Sequence, residues 1–234
     1  MVNWRWYVGP GLSGENLWCR GDVVSDGERI KVVRFQLDGR TYYRKESCNE
    51  RFGRLLDRIF GGGQWCSMPE QEARTLGQLV TEGFRVVPVV AAGSVFRFGI
   101  PVKGVMVTEG LDFPLLEDVL GIDCELWRRY GYLVGRLHAC GFFDDCRAKD
   151  LLLDDGELVL LDREKSRTGN SWNYRKALKS LRRTLYRNQR SGIRANEQAD
   201  MAFWQGYSKG ARLQEGQWKL LQERVSFSSG YGGR

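Results

Sequence analysis

One stretch of this chain constrains its fold more than any other. It is an amphipathic helix that ends in a glycine, an acidic loop, and a tight pair of apolar strands with an acid at the far end. Over residues 126–138, Leu126, Tyr130, Leu133, Val134 and Leu137 recur at i, i+4, i+7, i+8 and i+11, which paints one face of a helix. Cys140-Gly141 supplies its stop. Asp145 follows, then a five-residue step to Asp150. Residues 151–153 and 158–161 read as a β pair turning at Asp154-Asp155-Gly156, and the second strand runs directly into Asp162.

The segments before this core element are β-rich. Residues 29–37 and 41–46 form a hairpin across Asp38-Gly39, because Asp-Gly between β-forming runs suits a two-residue turn. Residues 68–82 read as a helix: Ser67 caps it, Pro69 fits the first turn, Glu70 stands where a capping box needs it, and Gly83 stops it. Residues 86–92 and 105–108 are short apolar β runs, with 93–104 as the turn region between them. The character changes near 109–111. Residues 115–119 are helical, and beyond Trp172 the chain reads as helix to about residue 224. The expectation is an α+β protein with a β-rich N-lobe over 1–108, a mainly helical C-lobe over 109–228 and a frayed tail at 229–234. A cleft between two such lobes is a natural ligand site.

Composition narrows the chemistry. The 234 residues include a single His, His138, so multi-His metal centres are excluded and chemistry falls to carboxylates, lysine or a cofactor. His138, at a helix end, reads as a structural residue bonding the backbone of the loop that follows. Six Cys without a C-x-x-C pair read as reduced thiols, not as a disulfide framework or zinc site. No run reaches membrane-span length, and Met1-Val2-Asn3-Trp4-Arg5-Trp6-Tyr7 lacks the apolar core of a secretory signal, so a cytoplasmic location is expected. The formal charge of +7 points to an anionic partner. It concentrates in residues 172–194, which hold eight Arg/Lys and no acid, with Leu178, Leu181, Leu185 and Tyr186 on one side at helical spacing. That segment reads either as a solvated helix face or as a face for anionic lipid or acidic glycan. No stacking-aromatic RNA motif accompanies it, so nucleic acid is not the expected partner.

Leu137-His138-x-x-Gly141, Asp145, Leu151-Leu152 and Leu161-Asp162-x-Glu164-Lys165 together resemble the bacterial lipopolysaccharide core kinase family (heptose and Kdo kinases), a branch of the protein-kinase-like superfamily. Gly39-Arg40-Thr41-Tyr42-Tyr43-Arg44-Lys45 resembles that family's phosphate-binding lysine strand. Gln71-Glu72-Ala73 resembles the helix whose Glu pairs with the lysine, and Val105-Met106-Val107-Thr108-Glu109 the hinge strand. The similarity spans about residues 22–210. It implies a two-lobed kinase fold that uses ATP and Mg²⁺ to phosphorylate a sugar hydroxyl of the lipopolysaccharide inner core. Under this resemblance Lys45, positioned by Glu72, holds the α- and β-phosphates, Glu109 and neighbouring backbone meet adenine, and Gly27 belongs to the loop over the nucleotide. Asp145 orients and deprotonates the acceptor hydroxyl, while Asp162 and Asp150 carry Mg²⁺. Strand alternation turns Arg44 to the face opposite Lys45. The implied partners are ATP, the lipopolysaccharide core or lipid A-core, and an anionic membrane surface; the implied place is cytoplasmic, peripheral on the inner membrane.

The chain departs from the family pattern at three points. Phe143 stands at the loop His position, Asp150 replaces the metal-binding Asn, and Ser25-Asp26-Gly27-Glu28 offers one glycine where a phosphate loop offers three. No conventional activation segment follows Asp162. The open alternatives are a catalytically impaired pseudokinase or binding module of the same fold, and a kinase acting on a protein or small metabolite. Asp144 is the alternative to Asp145 as base. Gly61-Gly62-Gly63 follows the lysine strand and carries no assigned chemistry.

Overall fold

Side-chain alternation and two-residue turns decide the first half of the chain. The structure, a computed structural model, describes residues 4–9, 11, 12, 16–48, 50, 52–60, 63–163, 165, 167–169 and 171–227. The expectations at Glu164, at Gly61-Gly62 and for the tail at 229–234 lie outside the described residues. The chain divides into two compact units, Met1–Asp112 with Asp162–Ser166, and Phe113–Leu161 with Arg167–Arg234. The first unit thus runs a little past the expected change at 109–111 and takes back the run that begins at Asp162.

In the first unit, β1 (Trp4–Val8), β2 (Asp22–Asp26), β3 (Ile30–Leu37), β4 (Arg40–Cys48), β5 (Val89–Arg97) and β6 (Ile100–Glu109) form an antiparallel sheet in the order β1-β5-β6-β4-β3-β2. The β3–β4 hairpin turns as its sequence demands: Asp38 and Gly39 both take positive φ, at 50° and 75°. Leu17, Phe35, Tyr42, Ala91, Val105 and Val107 form a buried core cluster, with Trp4 and Trp6 packed on it. Helices α1 (Phe52–Phe60) and α2 (Met68–Thr81) follow β4, and α2 packs on β4, β5 and β6.

The turn region expected over 93–104 is instead strand on both sides of a tight turn at Phe98-Gly99. Gly93 and Gly104 are there for close approach, not for turning. A Cβ on Gly104 would lie 1.8 Å from Ser67 Oγ, and one on Gly93 would lie 2.8 Å from the Arg5 carbonyl.

The second unit holds α3 (Leu116–Val119), α4 (Cys124–Ala139), the hairpin of β7 (Leu151–Asp154) and β8 (Glu157–Leu160), then α5 (Tyr174–Arg190), α6 (Glu197–Ala211) and α7 (Glu215–Gln222). The single helical run expected beyond Trp172 is therefore three helices. Gly192, at φ 83°, and the Asn196 cap separate α5 from α6, and Arg212 in the left-handed region ends α6. Helices α4 and α6 meet backbone to backbone. A Cβ on Gly131 would lie 2.0 Å from the Phe203 carbonyl, and one on Gly206 would lie 1.9 Å from that of Arg128. Around this contact Trp127, Tyr130, Phe203, Trp204 and Tyr207 are fully buried, and each large apolar side chain so buried stabilises by about 1.5–3 kcal/mol. None of the six cysteines is in a disulfide, and among the described residues no helix is long and apolar enough to cross a membrane.

Candidate active site

Two groups of the expected residues are assembled, one in each unit. In the first, α2 sets Glu72. Ser67 caps the helix by accepting from the Glu70 N–H (3.4 Å), but Glu70 does not close a capping box. Its buried carboxylate instead accepts from Arg74 and from Ser94, whose hydroxyl also accepts the Ser67 N–H. The helix start is thereby pinned to β5, and Glu72 lies on β4's side of it. Lys45 Nζ donates to Glu72 Oε2 at 2.5 Å and stands 3.7 Å from Asp162 Oδ2. The side chains of Glu72, Lys45 and Asp162 are 2%, 15% and 35% exposed, so the acid that would meet a metal is also the most accessible of the three. Arg44 turns to the other face as alternation requires and donates to the carbonyls of Leu17 and Cys19 at 3.0 and 2.9 Å.

Glu109 and Gly27 sit apart from this trio. Arg40 stands 3.5 Å from the Glu109 carboxylate. A cavity of about 470 Å³ there is lined by Arg34, Arg40, Thr41, Tyr43, Glu109 and Leu111 among others. The Glu109 and Gly110 N–H groups are already committed to the Pro88 and Thr41 carbonyls. Tyr43 is two residues before Lys45 on the same strand face, a signal that period-two reading could have used. Gly27 closes the β2–β3 turn, its N–H donating to the Ile30 carbonyl at 3.0 Å.

In the second unit, Gly141 ends α4 at φ 85°, and a Cβ there would lie 1.9 Å from the Gly169 carbonyl. The loop that follows is held by one face of α5. Ser180 Oγ donates to the Asp144 carbonyl (2.9 Å), Thr184 Oγ1 accepts from the Cys146 N–H (3.0 Å), and Asn188 Oδ1 accepts from the Ala148 N–H (3.1 Å). Asn188 also donates to the Tyr130 hydroxyl at 2.9 Å, and that hydroxyl donates to the Cys146 carbonyl. These three residues at i, i+4 and i+8 were not singled out from sequence; their signal is a polar stripe beside an apolar one. Ser180, Thr184 and Asn188 share the buried face with Leu181 and Leu185, whereas Tyr186, expected among the leucines, is exposed.

His138, expected to bond the loop backbone, reaches it through Ser180. Its Nε2 lies 3.0 Å from Ser180 Oγ and its Nδ1 2.8 Å from the Tyr207 hydroxyl. Ser180 spends its proton on the Asp144 carbonyl, so Nε2 is the donor and Nδ1 accepts from Tyr207, which in turn accepts from Trp172 Nε1 at 3.2 Å. Burial pushes the Tyr207 hydroxyl's pKa well up, which keeps it a donor. Phe143 stacks on the His138 ring at 5.2 Å between centroids. The loop His position is thus filled by an aromatic that packs on the chain's one imidazole.

Asp145 has a side chain only 6% exposed, and Arg187 donates to its Oδ2 at 2.7 Å. Asp150 accepts from Arg147 on both oxygens, at 2.5 and 2.7 Å, and its carbonyl takes the Leu161 N–H. Asp144 accepts the Asp145 N–H and lies 3.9 Å from Arg183. Arg147 is not singled out by the sequence, and Arg183 and Arg187 are expected only as members of the basic run over residues 172–194.

Carboxylate oxygens are what Mg²⁺ takes, and it commonly needs only one or two of them beside water and substrate phosphate. Among the described residues no cluster of three acid, Cys or His groups makes a ready cage. Asp162, a third exposed, fits that role; Asp150 fits by donor type once Arg147 releases it.

A family model described as lipopolysaccharide kinase (Kdo/WaaP) matches residues 20–207. No curated protein matches the chain. Among solved structures, WaaP in complex with acyl carrier protein is similar at a TM-score of 0.63 and 19% sequence identity, over 90% of each chain. At that identity the likeness speaks for the fold, the expected α+β kinase-like one. The family match runs through both groups of residues, from Gly27 to Tyr207, and the chain belongs to the lipopolysaccharide kinase (Kdo/WaaP) family.

Proposed function

We propose that the chain is an ATP-dependent kinase that phosphorylates a sugar hydroxyl, on heptose or Kdo, of the lipopolysaccharide inner core at the cytoplasmic face of the inner membrane. The observation that carries this reading is the meeting of Lys45, Glu72 and Asp162, far apart in sequence, in a chain of this family. Lys45, steered by Glu72, would hold the α- and β-phosphates, and the cavity beside Glu109 would take the base. Held by Asp162, with Asp150, Mg²⁺ would neutralise charge on the phosphate oxygens. Asp145 orients the acceptor hydroxyl. The hydroxyl oxygen attacks the γ-phosphorus, the bond from that phosphorus to the bridging oxygen breaks, the proton passes to Asp145 and ADP leaves. The exposed cations of α5, among them Arg175, Lys179 and Arg182, suit an anionic lipid or glycan surface.

A pseudokinase is the second reading, favoured by the hold of Arg147 on both Asp150 oxygens. The deciding experiment is ATP turnover with purified lipid A-core, with the new phosphate located by mass spectrometry. Asp145→Ala is expected to slow transfer by about 10²–10⁴-fold, and Asp162→Ala to abolish it. Undiminished transfer in either variant overturns the assignment. Stabilisation by Mg-ATP without transfer selects the pseudokinase.

A further inference from the structure

Three cations on one stripe of α5 face the loop that carries Asp145. Lys176 Nζ donates to the Thr168 carbonyl at 2.7 Å, Arg183 stands 3.9 Å from Asp144, and Arg187 donates to Asp145 at 2.7 Å. Their hold is incomplete. A guanidinium has five N–H donors, yet the Asp144 contact of Arg183 is at the outer limit of an ion pair, and its buried Nε finds no acceptor among the described residues. Arg187 spends one nitrogen on Asp145 and leaves its side chain 50% exposed. The exposed donors of Arg187 therefore stand beside the group that would accept the hydroxyl proton. Asp145 itself is nearly closed off, so an acceptor reaches it past Arg187.

We infer that Arg187 and Arg183 form an anion-reading subsite for the acceptor, which selects a carboxylate or phosphomonoester borne next to the hydroxyl that Asp145 activates. This rests on the kinase reading of Asp145. A neutral acceptor meets an arginine already bonded to Asp145 Oδ2 and competes with it for that oxygen. An anionic acceptor instead engages the outward N–H groups of the same guanidinium, whose planar fork can hold two acceptors at once. Only the second kind gains differential contacts where its hydroxyl is delivered, which is the requirement for binding to favour the productive arrangement. The two cations also offset the repulsion that Asp144 and Asp145 would exert on an approaching anion.

The test uses matched acceptors. One pair is a Kdo-bearing oligosaccharide with its carboxylates free or as methyl esters; the other is a core oligosaccharide with its phosphate groups present or removed. The pair that shows the preference identifies the anion. The wild-type chain is expected to favour the anionic member of one pair by about tenfold or more in kcat/KM, and added salt to weaken that preference. Arg187→Gln removes the preference mainly through the acceptor KM and leaves the KM for ATP unmoved. Arg187→Lys restores part of it, and Arg183→Gln gives a smaller loss. Equal use of both members of both pairs by the wild type, or a preference that survives in Arg187→Gln, overturns the subsite. Calorimetric binding of the same oligosaccharides separates this failure from that of the kinase reading. An Arg187-dependent preference in binding without turnover keeps the subsite and sinks the kinase; absence of preference in binding sinks the subsite.

Discussion

Lys45 reaches Glu72 at 2.5 Å and Arg187 reaches Asp145 at 2.7 Å, yet the side chains are 15% and 2% exposed in the first pair and 50% and 6% in the second. Similar lengths thus conceal different energetics. In the Lys45 pair both charges have largely left water, and removing one partner of a buried pair costs about 3–5 kcal/mol because the survivor loses its counter-charge. In the Arg187 pair only the carboxylate has left water, and a cation still half in solvent is screened, so this contact contributes less than the first. The first arrangement suits a fixed donor site, the second an acceptor site that must open.

The largest expected effect breaks the first pair. Lys45→Met should lower the unfolding free energy by about 3–5 kcal/mol in denaturant titrations, and Lys45→Met with Glu72→Gln should return most of that loss. A single variant within 1 kcal/mol of the wild type, by the scale of exposed pairs, would erase the contrast. The hold on the loop is next. Thr184→Val keeps the shape of the side chain but strands the buried Cys146 N–H, at a cost of about 1–3 kcal/mol. If α5 positions Asp145 through the loop backbone, kcat falls with it while the KM for ATP does not. Arg187→Gln is expected to move the melting temperature least of these three, since its cation is already half in solvent.

The meeting of Lys45 and Glu72 was legible because its parts obey local rules. Alternation along β4 separates Lys45 from Arg44, and a capped helix places Glu72. The hairpin turns at Asp38-Gly39 and Asp155-Gly156 were legible for the same reason: positive φ at consecutive positions selects few residues. The supports of the Asp145 loop were not, because they come from about forty residues downstream. Ser180, Thr184 and Asn188 look like weak helix formers until the loop they serve lies against them. The glycines misled in the same way. Gly93 and Gly104 read as turn residues from sequence, whereas a strand needs them where Arg5 and Ser67 approach too closely for a Cβ.

Asp200 supplies the control for both pairs: a buried carboxylate held by neutral donors. It accepts from the Phe227 N–H at 2.7 Å and from the Ser226 hydroxyl at 3.2 Å. Burial raises its pKa above the ordinary 3.8, and those hydrogen bonds only partly oppose the rise. The folded chain therefore binds this proton more tightly than the unfolded one, so stability is lost as pH climbs from 3.8 through the raised value and stays lower beyond it. Asp200→Asn keeps an acceptor for Phe227 and a donor for Ser226 without the charge. Melting curves of the two proteins should therefore diverge as pH rises above 3.8, with the Asn variant gaining on the parent. The opposite trend, a parent that gains with pH, would mean that neutral donors alone offset the desolvation of a carboxylate. The stabilisation of Glu72 by Lys45 would then owe less to the cation than the 2.5 Å contact suggests.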